Sequence, residues 1–336
     1  MTENPDPPTG PERLPEPRLP NGLRKNIPAL AVGITTVVPA LFADAGERAA
    51  FSVIEFFTAQ IRNPNTRSAY GVAVRDFSAW CGGRGLALHQ LRSPHVALYI
   101  EELCAQYAAP TVKQRLAAIK MLFDWLIIRQ VVEINPAAAV RGPKYIVTKG
   151  LTPVADGEEA KRLLESIDAT KLIGLRDRAL IALLLYTFAR VSAATGMNVE
   201  DYYPQGRRFW VRLHEKGGKQ HDMPAHHVLE QYIDEYVSAA GIGSDKSSPL
   251  FRSAAGTTGR LTGRRMHRLD ALRMIGRRTR AAGITTALSC HSFRATGITI
   301  YLKRGGLLEH AQKMAAHASA KTTKLYDRRE DQVTPR

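Results

Sequence analysis

The residues best suited to chemistry lie in the second half of the chain. His291 and Arg294 occur three positions apart in the stretch HSFR, so both side chains would leave the same face of a helix. Tyr326 lies nine positions after His317, and Arg190 follows a long apolar run. The candidate site residues, in chain order, are Arg190, Lys216, His291, Arg294, His317 and Tyr326.

These residue types suit the transfer of a phosphodiester. Two arginines on one phosphate would stabilise the charge that grows on its non-bridging oxygens. A tyrosine phenol has a reference pKa of about 10, so it needs cationic surroundings and a proton acceptor before it can attack. Histidines and arginines supply both, and a lysine can protonate the leaving oxygen. Such a site needs no metal ion, no cofactor and no ATP.

Each candidate also has an ordinary structural explanation when it is taken alone. An arginine after a helix is commonly a capping or surface residue, and a lysine in a turn is commonly solvated. A histidine and a tyrosine on short terminal helices commonly pack a core. Only the order and spacing of all six residues favour chemistry.

The composition restricts the partners and the location of the protein. The 336 residues include 47 Lys and Arg against 31 Asp and Glu, a formal net charge of +16 that favours nucleic acid as the partner. Cys81, Cys104 and Cys290 lack the spacing of a zinc site, so we expect reduced thiols and no metal. Without a bilayer-length apolar run or a secretory signal, we expect a cytoplasmic protein with no membrane partner.

The chain divides into four predicted segments. Residues 1–45 are rich in proline and show no period, which is typical of a disordered tail. Apolar residues at helical spacing between 46 and 143 predict a compact helical domain with basic exposed faces. On its own this domain could equally be a plain helical bundle or a DNA-binding unit. Residues 144–151 are predicted to be a linker, and residues 152–336 a second domain.

The second domain is predicted to be mainly helical. Residues 175–189 are almost wholly apolar towards their end, which predicts a buried helix that delivers Arg190. Residues 209–214 show a period of two, with Phe209, Val211 and Leu213 on one face, as in one strand of a hairpin with Lys216 at its turn. The predicted fold class is therefore mainly α with a small antiparallel β-sheet.

Four stretches of the second domain resemble the ordered motifs of the tyrosine recombinases, also called phage-type integrases. The order and spacing of the motifs agree with that family, and the helical segment from residue 46 resembles its core-binding domain. The likeness covers residues 46–329. The four stretches are ARVSA (189–193), HEKGGK (214–219), HSFRATG (291–297) and AAHASAKTTKLYDRR (315–329).

The resemblance implies a role for each candidate residue. Tyr326 would be the nucleophile, and Arg190 and Arg294 would clamp the scissile phosphate. His291 would assist proton transfer, and His317 would hydrogen-bond the phosphate.

The lysine of the hairpin would protonate the leaving 5′ oxygen. The resemblance favours Lys216 for this role, but Lys219 lies in the same short turn. A hairpin tip can aim either side chain, so Lys219 stays open as a rival.

The resemblance also implies the partners. The family forms a 3′-phosphotyrosyl link to double-stranded DNA at a specific core site and exchanges strands through a Holliday junction. It works as a homotetramer on two synapsed duplexes, and accessory DNA-bending or directionality proteins can assist. We expect the integrase of a mobile element.

The chain departs from the family pattern at three positions, all of them alanines. Ala193 replaces an acidic residue that usually follows the first arginine by three positions, and its loss would remove a contact that orients the site. Ala316 replaces the usual glycine before the last histidine, and Ala295 replaces a histidine often found after the second arginine. None of these changes removes one of the six candidate side chains.

Two other functions remain open at the level of sequence. A type IB topoisomerase-like enzyme would use the same chemistry without strand exchange and would relax any supercoiled DNA. A DNA-binding regulator with a decayed active site would bind without cleaving. Only Ala193 favours the regulator.

Overall fold

The computed structural model describes residues 38–146, 150–215 and 218–327. The chain forms two compact units that divide after Ile146, and each unit has its own hydrophobic core. The predicted fold class, mainly α with a small antiparallel sheet, is confirmed. None of the helices in the described ranges combines the length and apolar character needed to cross a bilayer.

The first unit is helical throughout. Phe56, Phe77 and Phe123 are fully buried in its core, and a π-helical turn, Phe56–Gln60, extends the second helix. The helices are α1 (Ala40–Ala43), α2 (Glu47–Glu55), α3 (Pro64–Gly82), α4 (Ser93–Gln106) and α5 (Ala109–Ile128).

The first unit begins earlier than the sequence predicts. The predicted tail runs to residue 45, yet α1 lies within it and buries Leu41 and Phe42 in the core. The N–H of Leu41 donates to the hydroxyl of Ser78 at 3.1 Å. Burial of this short apolar stretch outweighs the absence of a recognisable period. The rest of the predicted tail, residues 1–37, lies outside the described residues.

The second unit combines helices with two antiparallel sheets. Its helices are α6 (Gly157–Glu165), α7 (Leu172–Thr187), α8 (Val191–Gly196), α9 (His227–Ala240), α10 (Arg268–Ala281), α11 (Cys290–Lys303), α12 (Leu308–Met314) and α13 (Ala320–Lys324). Its strands are β1 (Tyr202–Gln205), β2 (Arg208–His214), β3 (Gln220–Pro224), β4 (Arg252–Ala254) and β5 (Leu261–Arg265).

Helix α7 is the centre of the second core. Its residues 179–184 are fully buried, and it packs against α9 and α11. This matches the predicted buried helix, because an apolar surface on every side requires neighbours on every side. The helix ends next to Phe188, which leads directly to Arg190.

The larger sheet has the strand order β1-β2-β3. Val211 pairs with Met223 and Leu213 pairs with His221, so β2 and β3 form the predicted hairpin. Val211 and Leu213 are fully buried, which agrees with the period of two in the sequence. The sequence did not indicate β1 or the pair of β4 and β5.

Candidate active site

The close packing of α11 against α7 sets the position of Arg294. Gly297 allows this approach, because a Cβ atom there would lie 2.2 Å from the carbonyl oxygen of Leu185. The chain leaves α7 at Phe188 with a φ of 56°, in the left-handed region. The carbonyl oxygen of Phe188 therefore lies beside α11, where it accepts a hydrogen bond from Arg294.

Arg294 is a buried cation held on three sides. Its Nη1 and Nη2 donate to the carbonyl oxygens of Phe188 and Ala315, and its Nε donates to Nε2 of His317 at 3.2 Å. Burial, followed by the nearby charge of Arg190, lowers the pKa of Arg294 to about 10, so the guanidinium stays charged near neutral pH. These three hydrogen bonds to described partners leave two of the five N–H groups for an anion.

His317 is buried and neutral. A guanidinium only donates, so Nε2 of His317 accepts from Arg294 and the ring proton lies on Nδ1. Nδ1 is 2.9 Å from the hydroxyl of Thr323, which accepts that proton in a hydrogen bond. Burial, with the charge of Arg294 as the next largest cause, lowers the pKa of His317 to about 3. The ring therefore fixes the guanidinium of Arg294 in place.

The turn before His317 has an unusual backbone. Ala316 has a φ of 46°, in the left-handed region that favours glycine. This conformation points the carbonyl of Ala315 at Arg294 while the N–H of His317 bonds to Gln312 at 3.0 Å. The geometry gives a physical reason why a glycine would suit this position.

Tyr326 lies against both histidines. Its phenol oxygen is 2.5 Å from Nε2 of His291, and its ring stacks on His317 with centroids 5.4 Å apart. The hydroxyl of Thr299 on α11 donates to the carbonyl oxygen of Tyr326 at 2.8 Å. The backbone and the phenol are thus both attached to the arginine-bearing helix.

His291 can accept a proton from the phenol. Loss of hydration lowers the pKa of His291, and the charges of Arg294 and Arg190 lower it further. A neutral imidazole has one nitrogen with a free lone pair, and Nε2 is the atom that faces Tyr326. His291 and Arg294 leave the same face of α11, as their spacing predicts.

Arg190 comes from the short segment between α7 and α8. It lies at the N-cap of α8, and its Nη1 donates to a carboxylate oxygen of Glu215. Its positive charge contributes to the lowered pKa values of His291, Arg294 and His317, so it lies within electrostatic reach of all three. The structure therefore brings five of the six candidate residues together.

The hairpin carries both lysines that could protonate the leaving oxygen. Lys216 lies outside the described residues. Lys219 is exposed just before β3, and its carbonyl oxygen accepts the N–H of Glu215 at 2.7 Å. The choice of Lys216 over Lys219 remains a prediction.

Three contacts of the site have no counterpart in the sequence prediction. They are the Glu215 carboxylate on Arg190, the Thr323 hydroxyl on His317 and the Thr299 hydroxyl on the backbone of Tyr326. The sequence could have pointed to Glu215. This residue is acidic and lies inside the HEKGGK motif, in a chain where Ala193 replaces the usual acidic residue. The two threonines carried no such signal.

Family comparisons agree with the motifs. The model of the phage integrase family matches residues 153–332, more than half of the chain. The model of the phage integrase N-terminal SAM-like domain matches residues 56–130. The second match lies within residues 46–329, the stretch that resembles the family, and the first extends three residues beyond it.

Individual proteins show the same likeness. Tyrosine recombinase XerC of Pelobacter propionicus is 28% identical over 267 residues, which cover 79% of this chain and 84% of that protein. The post-cleavage complex of the XerH site-specific recombinase with palindromic difH substrate has a TM-score of 0.64 at 19% identity, covering 78% of this chain and 75% of that one. A λ integrase tetramer bound to a Holliday junction has a TM-score of 0.62 at 15% identity, and the match covers 82% of this chain and 76% of that one. The chain thus belongs to the phage integrase family and is a tyrosine-type recombinase.

Proposed function

We propose that this protein is a site-specific DNA recombinase that cuts one strand by attack of Tyr326 and holds the 3′ end as a phosphotyrosyl ester. The observation that carries the proposal is the 2.5 Å separation between the Tyr326 phenol oxygen and Nε2 of His291, beside the buried cation Arg294. A nucleophile, a proton acceptor and a phosphate-binding group then lie within one site.

The proposed step balances without any co-reactant. The phenol oxygen attacks the phosphorus and its proton passes to His291. The bond from phosphorus to the 5′ oxygen breaks, and a lysine of the hairpin, Lys216 in our proposal, protonates that oxygen. The phosphotyrosyl ester keeps the phosphodiester bond energy, so the 5′ hydroxyl of another strand can reverse the step.

Arg190 and Arg294 would neutralise the phosphate. Arg294 has N–H groups to spare for an anion, and Arg190 is partly exposed. The resemblance to the family implies a hydrogen bond from His317 to the phosphate as well. Because Nε2 of His317 already accepts from Arg294, we propose that His317 orients this arginine and can donate to the phosphate from Nε2 only after that bond breaks and Nε2 gains a proton.

The finer assignments also belong to the proposal. We propose that the protein acts as a tetramer on two duplexes and exchanges strands through a Holliday junction, with accessory DNA-bending or directionality proteins in some contexts. The λ integrase tetramer on such a junction shares the fold, which supports this assembly. We further propose that the substrate is the attachment site of a mobile element.

The experiment uses DNA fragments from both flanks of the gene, nicked at successive positions to trap the covalent intermediate. A denaturing gel compares the wild-type protein with Tyr326→Phe. Tyr203→Phe is the matched control, because it removes a phenol oxygen from β1 in the same unit. We expect an adduct from the wild type and the control but none from Tyr326→Phe. Tight binding without an adduct from any of the three would favour a DNA-binding regulator.

A second assay separates strand exchange from relaxation. Two plasmids, each with the fragment that forms the adduct, should join into one recombinant molecule, as integration requires. Relaxation of a supercoiled plasmid that lacks the fragment, at the same rate as one that carries it, would instead favour a topoisomerase-like enzyme.

A further inference from the structure

We infer that Glu215 is the positioning residue for Arg190. Its carboxylate supplies the orienting contact that an acidic residue at position 193 would otherwise make. The inference rests on the proposed function, because it assigns a part in strand cleavage to a residue outside the six candidates. Glu215 touches Arg190 and acts on the phosphate only through it.

The contact joins a buried carboxylate to a partly exposed arginine. The side chain of Glu215 is 4% exposed and that of Arg190 is 36% exposed, and a carboxylate oxygen accepts from Nη1. An ionised carboxylate buried at this depth requires a partner, so the pair constrains both side chains. One edge of the guanidinium is held, and the exposed remainder can face an anion.

Position 193, where relatives usually carry the acidic residue, cannot supply a carboxylate in this chain. Ala193 is 1% exposed and packs into the core of the second unit. Its methyl group neither accepts a hydrogen bond nor carries a charge. The carboxylate arrives from the end of β2 instead, on a residue whose own N–H is held by the carbonyl oxygen of Lys219 at 2.7 Å.

The pair also forms part of the charge balance of the site. Arg190 lowers the pKa of Arg294, and Glu215 acts in the opposite direction on the same group. Glu215 therefore lowers the net positive charge that meets the phosphate. Its benefit to cleavage must come from orientation of Arg190 and not from added attraction.

Glu215→Gln is expected to slow cleavage without weakening DNA binding. Single-turnover adduct formation on the nicked fragment should fall by about 10-fold to 100-fold, the loss that follows from a misplaced group at a reacting centre. The Kd for the same fragment should stay unchanged or decrease, because a negative charge near the phosphate is removed. The matched control is Asp222→Asn, which breaks an exposed pair with Arg212 on the same hairpin and should cleave at the wild-type rate.

A neutral substrate separates positioning from a general structural role. A methylphosphonate at the scissile position lacks the negative charge that Arg190 would neutralise. If Glu215 acts through Arg190, Glu215→Gln and the wild type should cleave this substrate at similar rates. A variant with a damaged fold would lose the same factor on both substrates.

A second variant keeps the inference testable if Glu215→Gln fails to fold. Glu215→Asp keeps the buried negative charge but shortens its reach, and we expect the same selective loss on the phosphate substrate. Equal losses on both substrates for both variants would overturn the inference, as would a Glu215→Gln protein that cleaves the phosphate as fast as the wild type. A wild-type protein without any adduct would overturn the proposed function and this inference together, so the two failures are distinguishable.

Discussion

The Nε2 atom of His291 lies 2.5 Å from the phenol oxygen of Tyr326, although 35 positions separate the two residues. Both are tied to α11, because His291 belongs to that helix and Thr299 on the same helix donates to the carbonyl oxygen of Tyr326. Arg294 also lies on α11. One helix thus carries the proposed proton acceptor, the proposed phosphate ligand and the anchor of the nucleophile, so any shift of α11 moves all three.

Gly297→Ala should displace this helix. The new Cβ atom would lie 2.2 Å from the carbonyl oxygen of Leu185, and backbone cannot yield as a flexible side chain can. We expect a loss of about 1–3 kcal/mol in the free energy of unfolding, measured by urea denaturation, together with loss of adduct formation. Gly276→Ala in α10 is the matched control, since its Cβ meets nothing within 4 Å and should stabilise the helix by about 0.5–1 kcal/mol. Equal stability of both variants would contradict the account.

The pH dependence of cleavage should report on His291. Loss of hydration and two nearby arginines lower its pKa from the ordinary 6.5, and only the neutral ring can accept the phenol proton. The rate of adduct formation should therefore stay high at pH 6.5 and fall only at more acidic pH. His291→Ala should be slow throughout and lack that acidic limb. A wild-type midpoint above 6.5 would contradict a neutral acceptor.

His317 should make the protein sensitive to acid. Its pKa is about 3 when folded and returns to the ordinary 6.5 when unfolded, so between these values the unfolded chain binds a proton that the folded protein does not. The free energy of unfolding should fall as the pH drops through this window, by at most about 1.4 kcal/mol per pH unit from this group. His317→Gln should reduce the slope, whereas the exposed control His310→Gln should not. Identical slopes for all three proteins would show that His317 is not a buried neutral ring.

Ala316→Gly should stabilise the turn before His317. The residue has a φ of 46°, which costs an L-residue with a Cβ atom about 1 kcal/mol or more, and glycine adopts it freely. The added freedom of glycine in the unfolded chain offsets part of this gain, so we expect a net increase of about 0.5 kcal/mol in the free energy of unfolding. The neighbouring Ala315→Gly, at a buried position, should destabilise the protein instead. A decrease for Ala316→Gly would mean that the turn is not strained.

The sequence predicted the parts of the site that follow from short repeating patterns along the chain. The apolar run of α7, the alternation of β2 and the spacing of His291 and Arg294 each follow from periods of a few residues. The contact between Arg294 and Phe188 spans 106 positions, and the pairing of Glu215 with Arg190 spans 25. Both depend on tertiary packing, which no local pattern encodes. The short strands β1, β4 and β5 are likewise too brief to show an alternation.

The central claim is that Tyr326 becomes covalently attached to DNA, and mass spectrometry tests it most directly. The wild-type protein is trapped on a nicked fragment, the DNA is digested to a short remnant, and the peptides are sequenced by fragmentation. The account predicts a nucleotide linked through its 3′ phosphate to the tyrosine of the tryptic peptide 325–328. A nucleotide on any other residue, or an adduct of equal yield from Tyr326→Phe, would contradict it.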